Sequence, residues 1–265
     1  MLTAVLVPES LDAARAALAE EARPLAGGTY LMPRLNDHAT PPTRLVSLRR
    51  VGLDGIAVGP DTVTIGATTT LARIEDDERL AVLHPCVRSI AARPVRSLAT
   101  VAGNLFVGQP YGDLAVALLA LGADVEIQGA AGARTLPLEH MLSIGVAGDE
   151  LVTGVRFSRP AAFRYHKAGR RRFNTASIVT VAAALTMADG AVHDARIALG
   201  GLAPRPLRCA TAERALVGRP LDEASVRDAA HAADPLIEPF DDAYASAWYR
   251  RRVFPVHLRR ALLGH

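Results

Sequence analysis

The chain has 265 residues, 50% of them hydrophobic and 22% charged, enough apolar material for one large or two modest cores and unlike the composition of a disordered chain. Its net charge of +3 comes from basic residues interleaved with acidic ones along the whole sequence, which does not make a nucleic-acid footprint. Among its 30 basic residues a single one, Lys167, is lysine.

Cys86 and Cys209 stand far apart and away from any histidine pair at ligand spacing. That argues against a zinc site, an iron–sulfur cluster or a disulfide framework. The opening residues, Met1 to Glu9, lack the basic flank and long apolar core of a secretion signal. The longest apolar stretches, 114–121 and 178–187, fall short of the about 20 residues needed to span a bilayer. The expectation is a soluble cytoplasmic protein without a transmembrane segment.

In chain order, residues 4–7 read as a short strand, and Ser10 offers an N-cap to a helix over 11–20 with Leu11, Ala14 and Leu18 on one face. Strand candidates follow at 23–26 and 44–48, separated by Gly27-Gly28 and a helical rhythm from Thr29. This β/α alternation predicts a small parallel sheet. From Gly55 the texture changes to β-branched runs, and 55–58 and 62–65 around Gly59-Pro60-Asp61 predict an antiparallel hairpin. A helix near 86–92, a glycine-containing loop over 99–112, a helix over 113–121 and strands near 124–128 and 151–157 complete this part. After Pro160, segments 177–187 and 192–199 flank Asp189-Gly190, a strong hairpin signal. Helices are expected at 211–217, 223–232 and 241–263, the last carrying Tyr244, Trp248, Arg251-Arg252, His257-Leu258 and Leu262 at three- and four-residue steps.

Two segments have the chemistry of diphosphate cradles: Leu25-Ala26-Gly27-Gly28-Thr29-Tyr30-Leu31 and Thr100-Val101-Ala102-Gly103-Asn104. Glycine permits positive φ and close backbone approach, so that successive N–H groups can converge on anionic oxygens. Thr29, Thr100 and Asn104 add side-chain donors. Taken singly, Gly27-Gly28 also suits a plain strand-to-helix turn and Gly103-Asn104 a left-handed cap. Neither spacing fits GxGxxG or GxxxxGK[ST]. Asp113 is placed to N-cap the helix that follows, and a carboxylate is also a common acceptor for ribose hydroxyls. Together these features point to a dinucleotide.

These residues resemble the FAD-binding medium subunits of the molybdenum hydroxylases, the family of carbon monoxide dehydrogenase and xanthine dehydrogenase. The resemblance runs from the first glycine segment through the second, Gly112-Asp113-Leu114-Ala115 and Arg196-Ile197-Ala198-Leu199-Gly200-Gly201, to Tyr249-Arg250-Arg251 and 258–262. It implies an α+β chain: a vanillyl-alcohol-oxidase-type two-part FAD-binding domain over 1–160, split into a small parallel part at 1–54 and a larger antiparallel part at 55–160, then a smaller α+β flavoprotein domain with an antiparallel sheet at 161–265. Carried over by position, it puts both glycine segments on the FAD diphosphate, Asp113 on the ribose, Val152 at an apolar flavin contact and Lys167 near the flavin. The chain departs from the family pattern at Ala102, Tyr30 and Gln109, none of which removes a diphosphate donor.

The resemblance also implies partners: a large molybdopterin-binding subunit and a small subunit with [2Fe-2S] clusters, in a dimer of heterotrimers, with electrons passing through this flavin to an external acceptor. A cation at Lys167 would favour the charge that builds on a reduced flavin. Arg170-Arg171-Arg172 reads either as a solvated loop or as a docking patch for an acidic partner. His166 reads as polar packing rather than a metal ligand, and Arg250-Arg251-Arg252 and Arg259-Arg260 as a mix of solvent exposure and subunit contact. Two other readings compete: a self-contained FAD reductase of the UDP-N-acetylenolpyruvoylglucosamine reductase type, and a flavin-free interaction subunit.

Overall fold

The computed structural model describes residues 2–19, 22–37, 44–171 and 174–264. Strand β1 (Ala4–Leu6) leads to helix α1 (Leu11–Leu18), whose N-cap Ser10 accepts from Ala13 N–H. Then come β2 (Arg23–Leu25), α2 (Leu31–Asn36) and β3 (Arg44–Ser47). The three strands pair in parallel in the order β1-β3-β2. Ala14 and Leu18 of α1 pack with Val46, Leu48, Val51 and Leu151 in one apolar cluster, as the predicted face of α1 requires.

Next, β4 (Ile56–Val58) and β5 (Thr62–Gly66) form the expected antiparallel hairpin. Helices α3 (Leu71–Asp76), α4 (His84–Ser89) and α5 (Arg93–Arg96) follow. The stretch expected as a loop from 99 to 112 contains a short helix, α6 (Val101–Leu105), because Thr100 caps it by accepting from Gly103 N–H. Then come α7 (Asp113–Ala120), β6 (Asp124–Gly129), β7 (Gly132–Pro137), α8 (Leu138–Ile144) and β8 (Leu151–Ser158). A five-stranded sheet runs β4-β5-β8-β6-β7, with β6 antiparallel to both neighbours.

The remaining chain forms an antiparallel sheet, β12-β11-β10-β9, from β9 (Ala162–Ala168), β10 (Val179–Ala188), β11 (Ala191–Gly200) and β12 (Leu207–Arg208). The β10–β11 turn sits at Asp189 and Gly190, with φ of 49° and 78°, the double positive φ that makes Asp-Gly a hairpin signal. Helices α9 (Ala210–Leu216), α10 (Glu223–Ala233) and α11 (Ala247–Leu263) pack on this sheet through Val181, Ile197, Leu216, Val226, Phe254 and Leu258. Helix α11 begins later than the sequence suggests. Asp242 accepts from the N–H groups of Tyr244 and Ala245 and holds them out of the helix, and Ser246 then caps it by accepting from Tyr249 N–H. Trp248, expected on the apolar face, is 71% exposed, while Arg250, expected at the surface, is fully buried.

The chain forms two compact units: residues 1–79, 93–107 and 124–157 in one, and 80–92, 108–123 and 158–265 in the other. The backbone therefore passes between them at several points besides the expected division near 160. Helices α4 and α7 belong with the C-terminal sheet.

Candidate cofactor site

In the first unit, the two glycine segments meet backbone to backbone. A Cβ on Gly27 would run into the carbonyl of Leu98 and come within 3.2 Å of Ala99 Cα. A Cβ on Gly103 would lie 2.8 Å from Thr100 Oγ1 and 3.9 Å from Ala26 Cβ. Two segments about seventy residues apart thus form one floor, and glycine at 27 is what lets them touch. Gly28 has φ +71°, the left-handed conformation that favours glycine.

The segments differ in what they can offer. Among the described residues, the N–H groups of Gly28, Thr29 and Tyr30 have no acceptor within the chain. In the second segment the N–H groups of residues 101–104 are engaged: Val101 N–H donates to Thr69 O, Ala102 N–H to Ala67 O, Gly103 N–H to Thr100 Oγ1 and Asn104 N–H to Thr100 O. The expectation of two open amide nests is corrected accordingly. Residues 100–104 form a finished helical turn that supports the first segment, with Thr100, Val101 and Asn104 buried and only Ala102 and Gly103 partly open. Leu25, Ala26 and Leu31 are half-buried and Tyr30 is exposed. Val152 is 4% exposed in β8, facing Ile127 of β6 in register.

The second unit holds a different cluster. Lys167 Nζ donates to Asp113 Oδ2 at 2.8 Å and to the Ser89 carbonyl at 3.1 Å. Ser177 and Thr180 hydroxyls donate to Asp113 Oδ1 at 2.6 and 2.8 Å. Lys167 comes from β9, Asp113 from the start of α7, Thr180 from β10 and Ser89 from the end of α4, so four elements converge on one ion pair. Asp113 does not N-cap α7; that position falls to Gly112, which makes no side-chain cap bond. At 1% exposure its carboxylate faces no solvent, and three of its about four acceptor sites are filled from within the chain. Asp113, expected at the ribose, is the counter-ion of Lys167 within the chain. Beside it, burial pushes the Cys86 thiol and, with the Asp113 charge, the Tyr165 phenol above their ordinary ranges, so both stay protonated.

Sequence reading missed two further groups in this unit. Arg250 Nη1 donates to the carbonyls of Ser177, Ile178 and Gly201, and Nη2 donates to Asp242 at 2.6 Å. The Gly200-Gly201 and Tyr249-Arg250 motifs thereby meet through a hydrogen bond, a signal their joint presence carried. His166 Nε2 lies 3.0 Å from His257 Nδ1; no local spacing announces a pair ninety-one residues apart. Among the described residues no group of three or more His, Cys, Asp or Glu could hold a metal ion, and no helix is long and apolar enough to cross a membrane.

Residues 2–159 match the FAD binding domain in molybdopterin dehydrogenase, and residues 164–264 match the CO dehydrogenase flavoprotein C-terminal domain. The carbon monoxide dehydrogenase medium chain of Afipia carboxidovorans is 33% identical over 92% of this chain and 89% of its own length. The glyceraldehyde dehydrogenase medium chain of Sulfolobus acidocaldarius is 28% identical over 91% and 90%. The solved carbon monoxide dehydrogenase of Hydrogenophaga pseudoflava superposes with a TM-score of 0.93 at 28% identity, covering 99% of this chain and 96% of that one. The chain belongs to the FAD-binding medium subunits of the molybdenum hydroxylases, oxidoreductases of the carbon monoxide dehydrogenase and xanthine dehydrogenase type.

Proposed function

We propose that this chain is the electron-transferring subunit of a molybdenum hydroxylase complex. In this reading it receives electrons from a small iron–sulfur subunit and passes them to an external acceptor in the cytoplasm, and a large subunit holds the molybdopterin. The observation that carries the reading is the contact of the two glycine segments, with the N–H groups of residues 28–30 beside it left without acceptors among the described residues. That donor set fits a diphosphate: a row of neutral N–H groups on a floor closed by backbone, where added side chains would collide.

FAD, when bound, supplies the redox chemistry. The chain's residues hold and tune it. Gly28, Thr29 and Tyr30 would donate backbone N–H groups to the diphosphate, with Thr29 Oγ1 as a side-chain donor. Leu25, Ala26, Gly27 and Leu31 would shape the first wall, and Ala102 and Gly103 the second, with Thr100, Val101 and Asn104 fixing it from behind. Val152 would contribute apolar contact. Lys167 would present a cation toward the flavin while Asp113 fixes its ammonium, so Asp113 acts through Lys167 rather than on a ribose. Exposed Arg170 and Arg171 would receive an acidic iron–sulfur partner; Arg172 lies outside the described residues. A dimer of heterotrimers is the assembly this reading expects.

The test is the absorption spectrum and FAD content of the full chain, purified alone and with its co-expressed subunits. An equimolar flavin that co-purifies with molybdenum and iron is the expected result. A chain that takes up no FAD in either preparation overturns the reading.

A further inference from the structure

Helix α11 turns Arg250, Phe254, Leu258, Ala261 and Leu262 into the core. Elsewhere on its surface, four residues at four-residue steps, Trp248, Arg252, Val256 and Arg260, are exposed, Trp248 by 71% and Val256 by 47%. Four-residue steps make a ridge along a helix, here about 18 Å long at 1.5 Å per residue. The ridge alternates apolar and cationic side chains. Its charges are also uncompensated. Neighbouring Arg251 and Arg259 pair with Asp234 and Glu223 at 2.6 Å, whereas among the described residues Arg252 and Arg260 have no carboxylate at ion-pair distance. Tryptophan and arginine are the residue types that most often anchor protein interfaces.

We propose that this ridge docks a different subunit of the complex, one presenting an apolar recess for Trp248 and Val256 rimmed by carboxylates that meet Arg252 and Arg260. The occupant follows from the charge. A second copy meeting the ridge across a two-fold axis would gather four arginines in one contact with no carboxylate on either ridge to answer them. A lipid surface would have only two large apolar side chains to take in, since the apolar face of α11 is already buried in the fold. The inference rests on the medium-subunit reading above.

The experiment is assembly of the full chain with its co-expressed large and small subunits, followed by sedimentation at several salt concentrations. The variants are Trp248→Ala and Arg252→Glu/Arg260→Glu, with Arg252→Ala/Arg260→Ala in place of the reversal if it alters the melt. All sites are exposed, so the isolated variants should keep the wild-type melting temperature and FAD content. Trp248→Ala should weaken assembly about tenfold or more. The arginine variants should weaken it and flatten its dependence on salt. Wild-type affinity and salt dependence in all variants would overturn the proposal while leaving the medium-subunit reading intact. So would a wild-type dimer that Trp248→Ala converts to monomer, or binding to phosphatidylglycerol vesicles that the arginine variants lose. A wild-type chain that neither keeps FAD nor assembles would overturn both.

Discussion

Lys167 Nζ and Asp113 Oδ2 lie 2.8 Å apart with side chains 7% and 1% exposed. This is the only lysine in the chain, and its ammonium is held by a carboxylate that two hydroxyls hold in turn. A buried pair of this kind contributes little over an apolar replacement, but removing one partner strands the other charge, at a cost of about 3–5 kcal/mol. Lys167→Met and Asp113→Asn should each lower the melting temperature by several degrees. The double variant should lose clearly less than the sum; additive losses in denaturant titrations would refute the coupling. In the flavin-loaded chain, Lys167→Met should also lower the flavin midpoint potential in spectroelectrochemistry.

The floor of the proposed diphosphate site gives a second expectation. Gly27→Ala forces the Leu98 carbonyl away, an overpacking worth about 1–3 kcal/mol, and it should reduce FAD content as well as stability. Gly28→Asp adds strain at φ +71° and a negative charge beside the phosphates. It should abolish FAD retention in a chain whose circular dichroism still reports a fold. Full flavin occupancy in Gly28→Asp would rule out the first segment as the diphosphate cradle.

Arg250 is the largest fully buried side chain, satisfying three carbonyls and Asp242 while its guanidinium lies 4.7 Å over the Phe240 ring. Arg250→Met leaves Asp242 Oδ2 without its cation and those carbonyls without this donor, and should cost about 3–5 kcal/mol. Arg250→Lys should recover little, because one ammonium cannot span the fork geometry. Urea midpoints of the two variants decide it: a lysine that restores most of the loss would mean charge, not shape, is what this position needs.

The stacked pair His166 and His257 predicts a pH dependence. Burial, with His166 and Arg260 nearby, holds His257 at about 4, and burial with Arg260 holds His166 below its usual range. In the unfolded chain these imidazoles titrate near 6.5. The unfolded state therefore takes up protons first, and this stabilisation is complete above about pH 6.5 and lost as pH falls toward 4. His257→Gln should flatten that part of the melting-temperature curve relative to wild type. Parallel curves from pH 7 to 4 would show the pair does not contribute.

Much of the architecture was legible because its signals are local. Asp189-Gly190 fixes a hairpin by backbone conformation, Ser10 caps α1, and the alternation of short strands and helices before residue 50 gives the parallel sheet. The two glycine segments were legible as a pair, but their division of labour was not. Whether an N–H is open depends on Ala67, Thr69 and Thr100 accepting from it, and the first two of those are contacts from another part of the chain. Arg250 shows the same limit. In sequence it is one of three consecutive arginines, and only the carbonyls of Ser177, Ile178 and Gly201, 49 to 73 residues away, make it interior. Asp113 read as a cap because the position before an apolar helix usually is one; Lys167, Ser177 and Thr180 claimed it through tertiary contact.

Helix α7 buries every one of its eight residues, and Val116 meets Gly200 at the end of β11 closely enough that a Cβ there would lie 2.8 Å from it. During synthesis α7 leaves the ribosome some eighty residues before that strand exists, an interval on the order of ten seconds at 5–20 residues per second. Throughout it, a greasy segment can meet α4, already made, but not the full sheet of β10 and β11 it packs against in the finished fold. Yield from a heterologous host should thus be governed by how well that waiting segment is shielded, and should rise with added chaperone or cooler growth more than with any change to the finished fold.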